Sequence, residues 1–287
     1  MRFMLLTVAI LLLTSRELKG NELLLSGPYI GQATPGEVAE IFAPNIVSTE
    51  QYSYGGVFTP SMNEFYYLSK ESADSKPNFV VFERKGDIWI KRIVSKAIGQ
   101  PSFSPDGSLM HLGKRYKIYS NGSWSDVKLL GPEFQQHKIM RMTSSQKGTF
   151  VFDQAGWPDG DGVIHYSTLN EGKRKPPIPF DQNINSGTFN AHPFIAPDES
   201  YLIWDSRREN GFGDSDIYIT FKQNDGSWGD SINMGPSVNS EGWDAAASVT
   251  PDGRFLFFHR LNDHGNANIY WISANIIERL RLSQRSN

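Results

Sequence analysis

Residues 232–259 read INMGPSVNSEGWDAAASVTPDGRFLFFH, and residues 178–205 read IPFDQNINSGTFNAHPFIAPDESYLIWD. Placed over each other without a gap, at an offset of 54 residues, both stretches carry a central Asn-Ser pair, then a Pro-Asp turn, then an apolar run. The match resumes at Asp216-Ile217-Tyr218, whose counterpart is Asn268-Ile269-Tyr270. Agreement at this many positions indicates an internal repeat.

Further copies of the turn lie earlier in the chain. FSPDG occupies residues 103–107, and two worn copies, TPSMN and TSSQKG, occupy residues 59–63 and 143–148. The turn anchors are spaced 40 to 54 residues apart, which suits one four-stranded blade. The sequence therefore predicts an all-β fold, a five-bladed β-propeller of four-stranded antiparallel blades over residues 35–277. The five anchors are Pro60, Pro105, Ser145, Pro197 and Pro251.

Each repeat unit has the sequence of an antiparallel meander. In the last unit the small apolar residues 245–249 suit a crowded innermost strand, and a Pro-Asp-Gly turn follows at 251–253. Residues 255–258 are all apolar and mostly aromatic, as strands prefer. In the preceding unit a Gly-Ser-Trp turn at 226–228 leads toward the outer strand.

The fifth unit has no fourth strand of its own, because the chain becomes charged at Glu278-Arg279. Residues 41–48 match residues 233–240 in type and spacing. We therefore expect this N-terminal segment to complete the last blade, which removes the exposed sheet edges of an open ring. The alternative is an open sandwich or two small domains.

The Phe-Ser-Pro-Asp-Gly turn at 103–107, the Asp-Ile-Tyr strand at 216–218 and the Gly-Ser-Trp hairpin at 226–228 resemble the repeats of TolB-type β-propellers, which are WD-like. The resemblance covers roughly residues 35–274 and is strongest from Ile178 onward. It implies an exported propeller that binds other proteins. TolB-type rings usually have six blades and carry a further α/β domain, whereas five repeats are found here.

The composition restricts the classes of function. An apolar content of 39% with 13% aromatic residues argues against disorder. The formal charge of -3 gives no indication of a nucleic-acid partner. The chain has no cysteine, which excludes disulfides, zinc–thiolate sites and cysteine nucleophiles. We expect no cofactor and no bound metal.

The N-terminal residues have the pattern of a secretory signal peptide. Arg2 precedes an apolar stretch from Phe3 to Leu13, which is too short to span a bilayer. We expect a signal peptide over residues 1–20, a leader or linker over 21–34 and a charged C-terminal tail over 278–287. The alternative is a buried first strand or helix. Export predicts a periplasmic or secreted protein without a transmembrane segment.

Propeller topology predicts which residues meet. The Pro-Asp-Gly and Gly-Ser-Trp turns lie on one face, which we call the turn face. The links between blades and the loops between second and third strands lie on the opposite face, the blade-link face, around the mouth of the channel. There the links repeat an aromatic residue followed by a polar one. The predicted binding residues are Tyr52, Trp157, Phe189, Asn190, His192, Arg207, Arg208, Trp243, Asp244, His259 and Arg260.

Aromatic rings with Arg, Asp and His side chains suit a carbohydrate or an acidic sugar. Alternatively, the aromatic residues wedge neighbouring blades and the charges are solvated loop residues. A glycosidase needs two carboxylates, and only Asp244 lies at the aligned strand starts, where the other blades have Ser53 and Asn190.

Two further chemistries remain open. An oligouronide-type lyase would use His and Arg at the channel mouth, with or without a metal held by His192, His259 and His264. Residues 159–162 read DGDG and could contribute to a calcium loop, although a full ligand set is missing. We expect no catalytic residue. The leading interpretation is a non-enzymatic module that binds an envelope protein or an extracellular glycan, and the lyase is the alternative.

Overall fold

Each repeat folds as one antiparallel sheet in a computed structural model that describes residues 25–72, 74–155, 162–261 and 265–285. The described chain is a five-bladed β-propeller of four-stranded blades, which confirms the predicted fold class. The expected signal peptide lies outside the described residues, as do Trp157 and His264.

Blades 1 to 3 follow the chain from the inner to the outer strand. Blade 2 and blade 3 each lengthen the hairpin of their third strand with short extra strands. The strands are Tyr52–Phe58, Glu64–Lys70, Asn78–Lys85 and Ile88–Lys96 in blade 1; Pro101–Phe103, Leu109–Leu112, Arg115–Ser120, Ser123–Trp124 and Lys128–Leu129 in blade 2; and Met142–Ser144, Phe150–Gln154, Val163–Ser167, Leu169–Asn170, Lys173–Arg174 and Ile178–Pro179 in blade 3.

The inner strand of blade 4 has eight residues, that of blade 1 has seven and that of blade 5 has six. The outer strand of blade 5 comes from the N-terminal side of the chain, and three helical segments flank the blades. The strands are Thr188–Ile195, Tyr201–Arg207, Asp216–Phe221 and Ile232–Asn233 in blade 4, and Asp244–Val249, Phe255–Leu261, Ala267–Ser273 and Glu40–Ile41 in blade 5; the helical segments are the 3₁₀ turns Pro28–Gly31 and Pro132–Phe134 and the α-helix α1, Asn275–Arg285.

The N-terminal strand closes the ring in the predicted register. Glu40 and Ile41 pair with the third strand of blade 5, opposite Trp271 and Tyr270. The next residue, Phe42, donates its backbone N–H to the carbonyl of Ile269 at 2.8 Å. Blade 4 makes the same bond within its own repeat, from Met234 to Ile217 at 3.0 Å. The expected closure by an N-terminal segment is therefore confirmed.

Phe42 anchors this closure because its side chain is fully buried between blades 5 and 1. Its ring contacts the rings of Phe65, Phe257 and Trp271 at centroid distances of 4.8 to 5.0 Å. The contacts cross from the last blade to the first, so burial of one aromatic side chain holds the two ends of the propeller together.

The segment expected as a linker over 21–34 enters the same core. Tyr29 and Ile30 are buried, and the ring of Tyr29 lies edge-on to Phe255 at 4.9 Å. The Tyr29 hydroxyl also donates to the carboxylate of Asp252 in the blade 5 turn. The described part of this segment therefore packs on blade 5 as a second contact from the N-terminal side of the chain, without adding a strand to the sheet.

The charged C-terminal residues lie on helix α1, whose first turn also carries two isoleucines. Ile276 and Ile277 are buried against the outer side of blades 4 and 5, while Leu282 is exposed. The boundary expected at 277–278 therefore falls inside a helix that packs on the propeller. In the described residues we find no helix with the length and apolarity to cross a membrane.

Candidate functional site

A bulge recurs at one position of the inner strand and shapes the channel wall. Gly55, His192 and Ala246 occupy this position in blades 1, 4 and 5, and the strand pairing shifts register there in all three blades. All three residues have left-handed backbones, with φ of 65°, 47° and 55°. A left-handed backbone is unfavourable for a residue with a β-carbon, such as His192. It persists only where surrounding contacts compensate for the strain.

Buried carboxylates supply those contacts across the blade boundaries. Asp153, on the second strand of blade 3, accepts the backbone N–H of His192 in blade 4 at 2.9 Å. Asp205, at the same position of blade 4, accepts the N–H of Ala246 in blade 5 at 2.9 Å. Both carboxylates are fully buried. In blade 5 this position is occupied by His259.

The imidazole rings of His192 in blade 4 and His259 in blade 5 lie edge-to-face, with centroids 6.3 Å apart. Burial lowers the pKa of His192, but the carboxylate of Asp205, 3.0 Å from its Nδ1, and the charge of Asp153 together outweigh burial, so the pKa is raised. Among the residues that the structure describes, His259 has no carboxylate partner, and its Nδ1 makes no hydrogen bond. Burial, with the charges of His192 and Arg141, lowers the pKa of His259 to about 3.

Arg141 is, with Asp153, a channel residue that sequence reasoning missed. It lies just before the inner strand of blade 3, where its backbone N–H bonds Asp153 Oδ1 at 2.9 Å. Its side chain is buried, yet Nε and Nη1 have no hydrogen-bond partner. Burial lowers its pKa to about 10, while the charges of Asp205 and Asp153 act in the opposite direction. The guanidinium therefore remains charged at neutral pH.

Aromatic rings and cations alternate along the blade-link face over blades 4, 5 and 1. The rings of Phe189 and Trp243 meet edge-to-face at 5.6 Å, and the guanidinium of Arg207 lies 4.9 Å from the first and 5.9 Å from the second. In blade 1, Lys70 lies 5.2 Å from the ring of Tyr52. We call this set the rim arc; its members are Tyr52, Tyr54, Lys70, Phe189, Arg207 and Trp243.

The rim arc leads into the channel through Tyr54. Its ring lies 5.3 Å from that of Tyr52 and 5.8 Å from that of His259. Lys70 and Arg207 occupy the same place, at the end of the second strand of their blades. A repeated position thus presents a cation over an aromatic residue twice on one face.

Two of the predicted arginines make structural contacts. Arg208 donates to the carbonyl of Ile184 at 3.2 Å and lies 4.2 Å from the ring of Tyr218. Arg260 does the same in blade 5, with Val238 at 2.7 Å and the ring of Tyr270 at 4.6 Å.

Two other predicted residues are buried beside the rim arc. Asp244 is fully buried and accepts from Arg260 Nε at 2.6 Å and from the backbone N–H of Ser240 at 2.7 Å. Asn190 is also buried and donates to the carbonyl of Gly162 at 3.2 Å. These four residues hold loops in place and leave Tyr52, Phe189, Arg207 and Trp243 as the predicted residues that belong to the rim arc.

Several predicted loop residues fall on chain that the structure does not describe. Among the described residues, no group of three or more His, Asp or Glu side chains is arranged to hold a metal ion. The undescribed residues include the predicted binding residue Trp157, both carboxylates of the suggested calcium loop, Asp159 and Asp161, and one histidine of the suggested metal set, His264.

Neither a protein-family model nor a curated protein matches the chain. Among solved structures, it is similar to TolB from Acinetobacter baumannii, with 16% identity and a TM-score of 0.46, over 77% of this chain and 54% of that one. A thermostable family-43 glycoside hydrolase has 14% identity and a TM-score of 0.50, over 78% and 90%. A gluconolactonase from Xanthomonas campestris has 10% identity and a TM-score of 0.47, over 86% and 97%. The chain spans about half the length of that TolB, and at these identities the similarity concerns the propeller fold alone.

Proposed function

We propose that this chain is an exported, non-catalytic propeller that binds an acidic glycan through the rim arc. The observation that carries the proposal is the repeated placement of Lys70 and Arg207 over aromatic rings on one face. Aromatic faces stack on the C–H faces of sugars, and cations beside them pair with sugar carboxylates. A neutral glycan would have no carboxylate to pair with either cation.

Arg207 in the rim arc is accessible to a ligand. The side chain of Arg207 is 43% exposed, and its ion-pair partner Asp214 is 69% exposed. An ion pair this exposed contributes little stability and exchanges readily with solvent or with a ligand carboxylate. Trp243 and Phe189 are half-buried, so part of each side chain is open to contact.

The bonding of the channel carboxylates supports a binding role over catalysis. Asp153 accepts three backbone N–H groups, from Met140, Arg141 and His192, and Asp205 bonds both His192 and Ala246. A catalytic carboxylate must be available to the substrate or its water. The lyase alternative would need Nε2 of His192 as the base, because Nδ1 is bonded to Asp205, yet the imidazole is buried.

Export to the periplasm or the medium rests on the charged and apolar pattern of residues 1–20. N-terminal sequencing of the protein recovered from a bacterial host tests it. We expect a mature chain that starts near Gly20, in the periplasmic or secreted fraction. An intact Met1 on protein that stays inside the cell would contradict export.

The binding test is affinity electrophoresis through gels that contain polygalacturonate, with dextran gels as the neutral comparison. We expect polygalacturonate to retard the wild-type protein and dextran to leave its mobility unchanged. Trp243→Ala and Arg207→Gln should each weaken retardation about tenfold, since each removes one ring or one charge-assisted contact. Trp124→Ala, on the turn face, is the matched control and should behave as wild type.

Three results would contradict the proposal. Equal retardation by dextran would exclude recognition of acidic groups, and an equal loss in Trp124→Ala would place binding elsewhere. Release of unsaturated, ultraviolet-absorbing products from polygalacturonate would favour the lyase. An envelope protein captured through the rim arc, with no retardation by polygalacturonate, would replace the glycan as the ligand.

A further inference from the structure

A second cavity lies on the propeller axis at the opposite, turn face. It has a volume of about 210 Å³ and is lined by residues from all five blades. Its mouth is formed by the prolines of the repeated turns, Pro60, Pro105, Pro197 and Pro251, and its walls include Phe103 and Phe194. This cavity shares no residue with the rim arc.

The serine and threonine hydroxyls in the cavity wall are already used by the fold. Ser102 donates to the carbonyl of Met142, and Thr143 donates to that of Pro193 at 3.2 Å. Ser248 donates to the carbonyl of Gly56 at 3.3 Å. Ser104, Ser144 and Thr250 bond Asp106, His111 and Asp252. Apart from Arg141, the phenol of Tyr201 and the amide of Gln146, the lining is therefore apolar in effect.

Arg141 is the charged side chain among the described residues that line this cavity. Arg141 precedes Thr143 by two residues, just before the inner strand of blade 3, and its side chain is only 2% exposed. Its Nε and Nη1 have no partner, and it forms no ion pair with any described carboxylate. The nearby Asp153 and Asp205 spend their oxygens on backbone N–H groups and His192.

A buried guanidinium without partners is costly to the fold, and a ligand anion removes that cost. Its N–H groups form a planar fork that matches a carboxylate with two parallel hydrogen bonds. The volume equals that of about seven water molecules, which is below the range of drug-sized pockets. The ligand must therefore be small, singly charged at one end and apolar along its body.

We propose that the axial cavity binds a small organic monocarboxylate, with its carboxylate on Arg141 and its apolar body between the blade walls. The site is independent of the rim arc, because it lies on the other face and uses other residues. Loss of glycan binding would leave it intact, and loss of this site would leave the rim arc intact.

Isothermal titration calorimetry with benzoate and benzamide tests the proposal on the wild-type protein. The two probes have the same shape and differ in charge. We expect benzoate to bind and benzamide to bind at least about tenfold more weakly, because only benzoate supplies a charge-assisted pair. This comparison needs no variant.

Variants then locate the binding site. Arg141→Met should weaken benzoate binding at least about tenfold, provided that its circular dichroism and melting profile show a folded protein. Arg92→Met, on an outer strand and paired with Glu83 at the surface, removes the same charge and should bind benzoate as wild type. Trp243→Ala should also bind benzoate unchanged.

The proposal is overturned if benzoate and benzamide bind equally, or if neither binds at about 10 mM. It is also overturned if folded Arg141→Met keeps the wild-type affinity. Chloride that competes with benzoate, in the absence of any difference between the wild type and Arg141→Met, would place the anion at the surface and likewise overturn it.

Discussion

Asp205 Oδ1 accepts the backbone N–H of Ala246 at 2.9 Å, across the boundary between blades 4 and 5. Ala246 has a left-handed backbone with φ of 55°, which is unfavourable for a residue with a β-carbon. Asp153 repeats this bond to the left-handed His192 one blade earlier. The carboxylates thus hold strained bulges in register, and they tie each blade to the next one.

Removal of one such carboxylate should destabilise the ring. Asp205→Ala leaves the Ala246 N–H and Nδ1 of His192 unpartnered in the interior. We expect a loss of about 3–5 kcal/mol in the free energy of unfolding, measured by chemical denaturation. Asp126→Ala, which removes an exposed carboxylate from a loop, should change it by no more than about 0.5 kcal/mol. Similar losses in both variants would show that Asp205 has no special role.

His259 should make the protein sensitive to acid. Its pKa is about 3 in the folded chain against 6.5 for an ordinary histidine. Between these values the unfolded chain holds a proton that the folded chain lacks. Stability therefore falls as pH falls through this window, by about 1.4 kcal/mol per pH unit. His192 has a raised pKa and acts in the opposite sense.

The variant His259→Gln isolates this contribution. Its free energy of unfolding should decline less steeply than that of the wild type from about pH 6.5 to pH 4, since one titrating group is gone. Each protein is referred to its own stability at neutral pH, so packing changes cancel. Parallel curves for the two proteins would mean that His259 is not buried in its neutral form.

Ring closure depends on Phe42 and can be tested against its neighbour in the closing strand. Phe42→Ala should cost about 3–5 kcal/mol, because it empties a site enclosed by aromatic rings of blades 1 and 5. Ile41→Ala, on the same strand but 39% exposed, should cost no more than about 1 kcal/mol. Equal effects of the two substitutions in a denaturant titration would show that the buried ring of Phe42 does not hold the ring closed.

Helix α1 offers a similar pair. Ile277→Ala removes a buried side chain that packs on blades 4 and 5, and we expect it to lower the free energy of unfolding by about 2 kcal/mol. Leu282→Ala, at an exposed position of the same helix, should have little effect. If the two variants unfold alike, the helix does not belong to the cooperative unit of the propeller.

The repeat made most of the fold predictable. The Pro-Asp turns at Pro251 and Pro197 indicated where blades repeat. The match of residues 41–48 to 233–240 located the closing strand, because equivalent blades need equivalent outer strands. Helix α1 was not predicted, since its charged residues hide a short apolar face at Ile276 and Ile277.

The site was only partly predictable. Aromatic residues at the aligned strand starts predicted Tyr52, Phe189 and Trp243 of the rim arc, whereas Tyr54 and Lys70 were missed. Arg141 and Asp153 escaped notice because the turn of blade 3 is worn, although Asp153 aligns with Asp205 after an equivalent apolar run. Sequence position also does not tell where a long side chain points, and Arg208 turns to Tyr218 and Ile184.

Hydrogen exchange with and without polygalacturonate tests the central claim most directly. We predict slower exchange at residues 188–190 and 243–245, with unchanged exchange in the turn at residues 104–108. Protection at that turn, or no protection at either face, would contradict glycan binding by the rim arc.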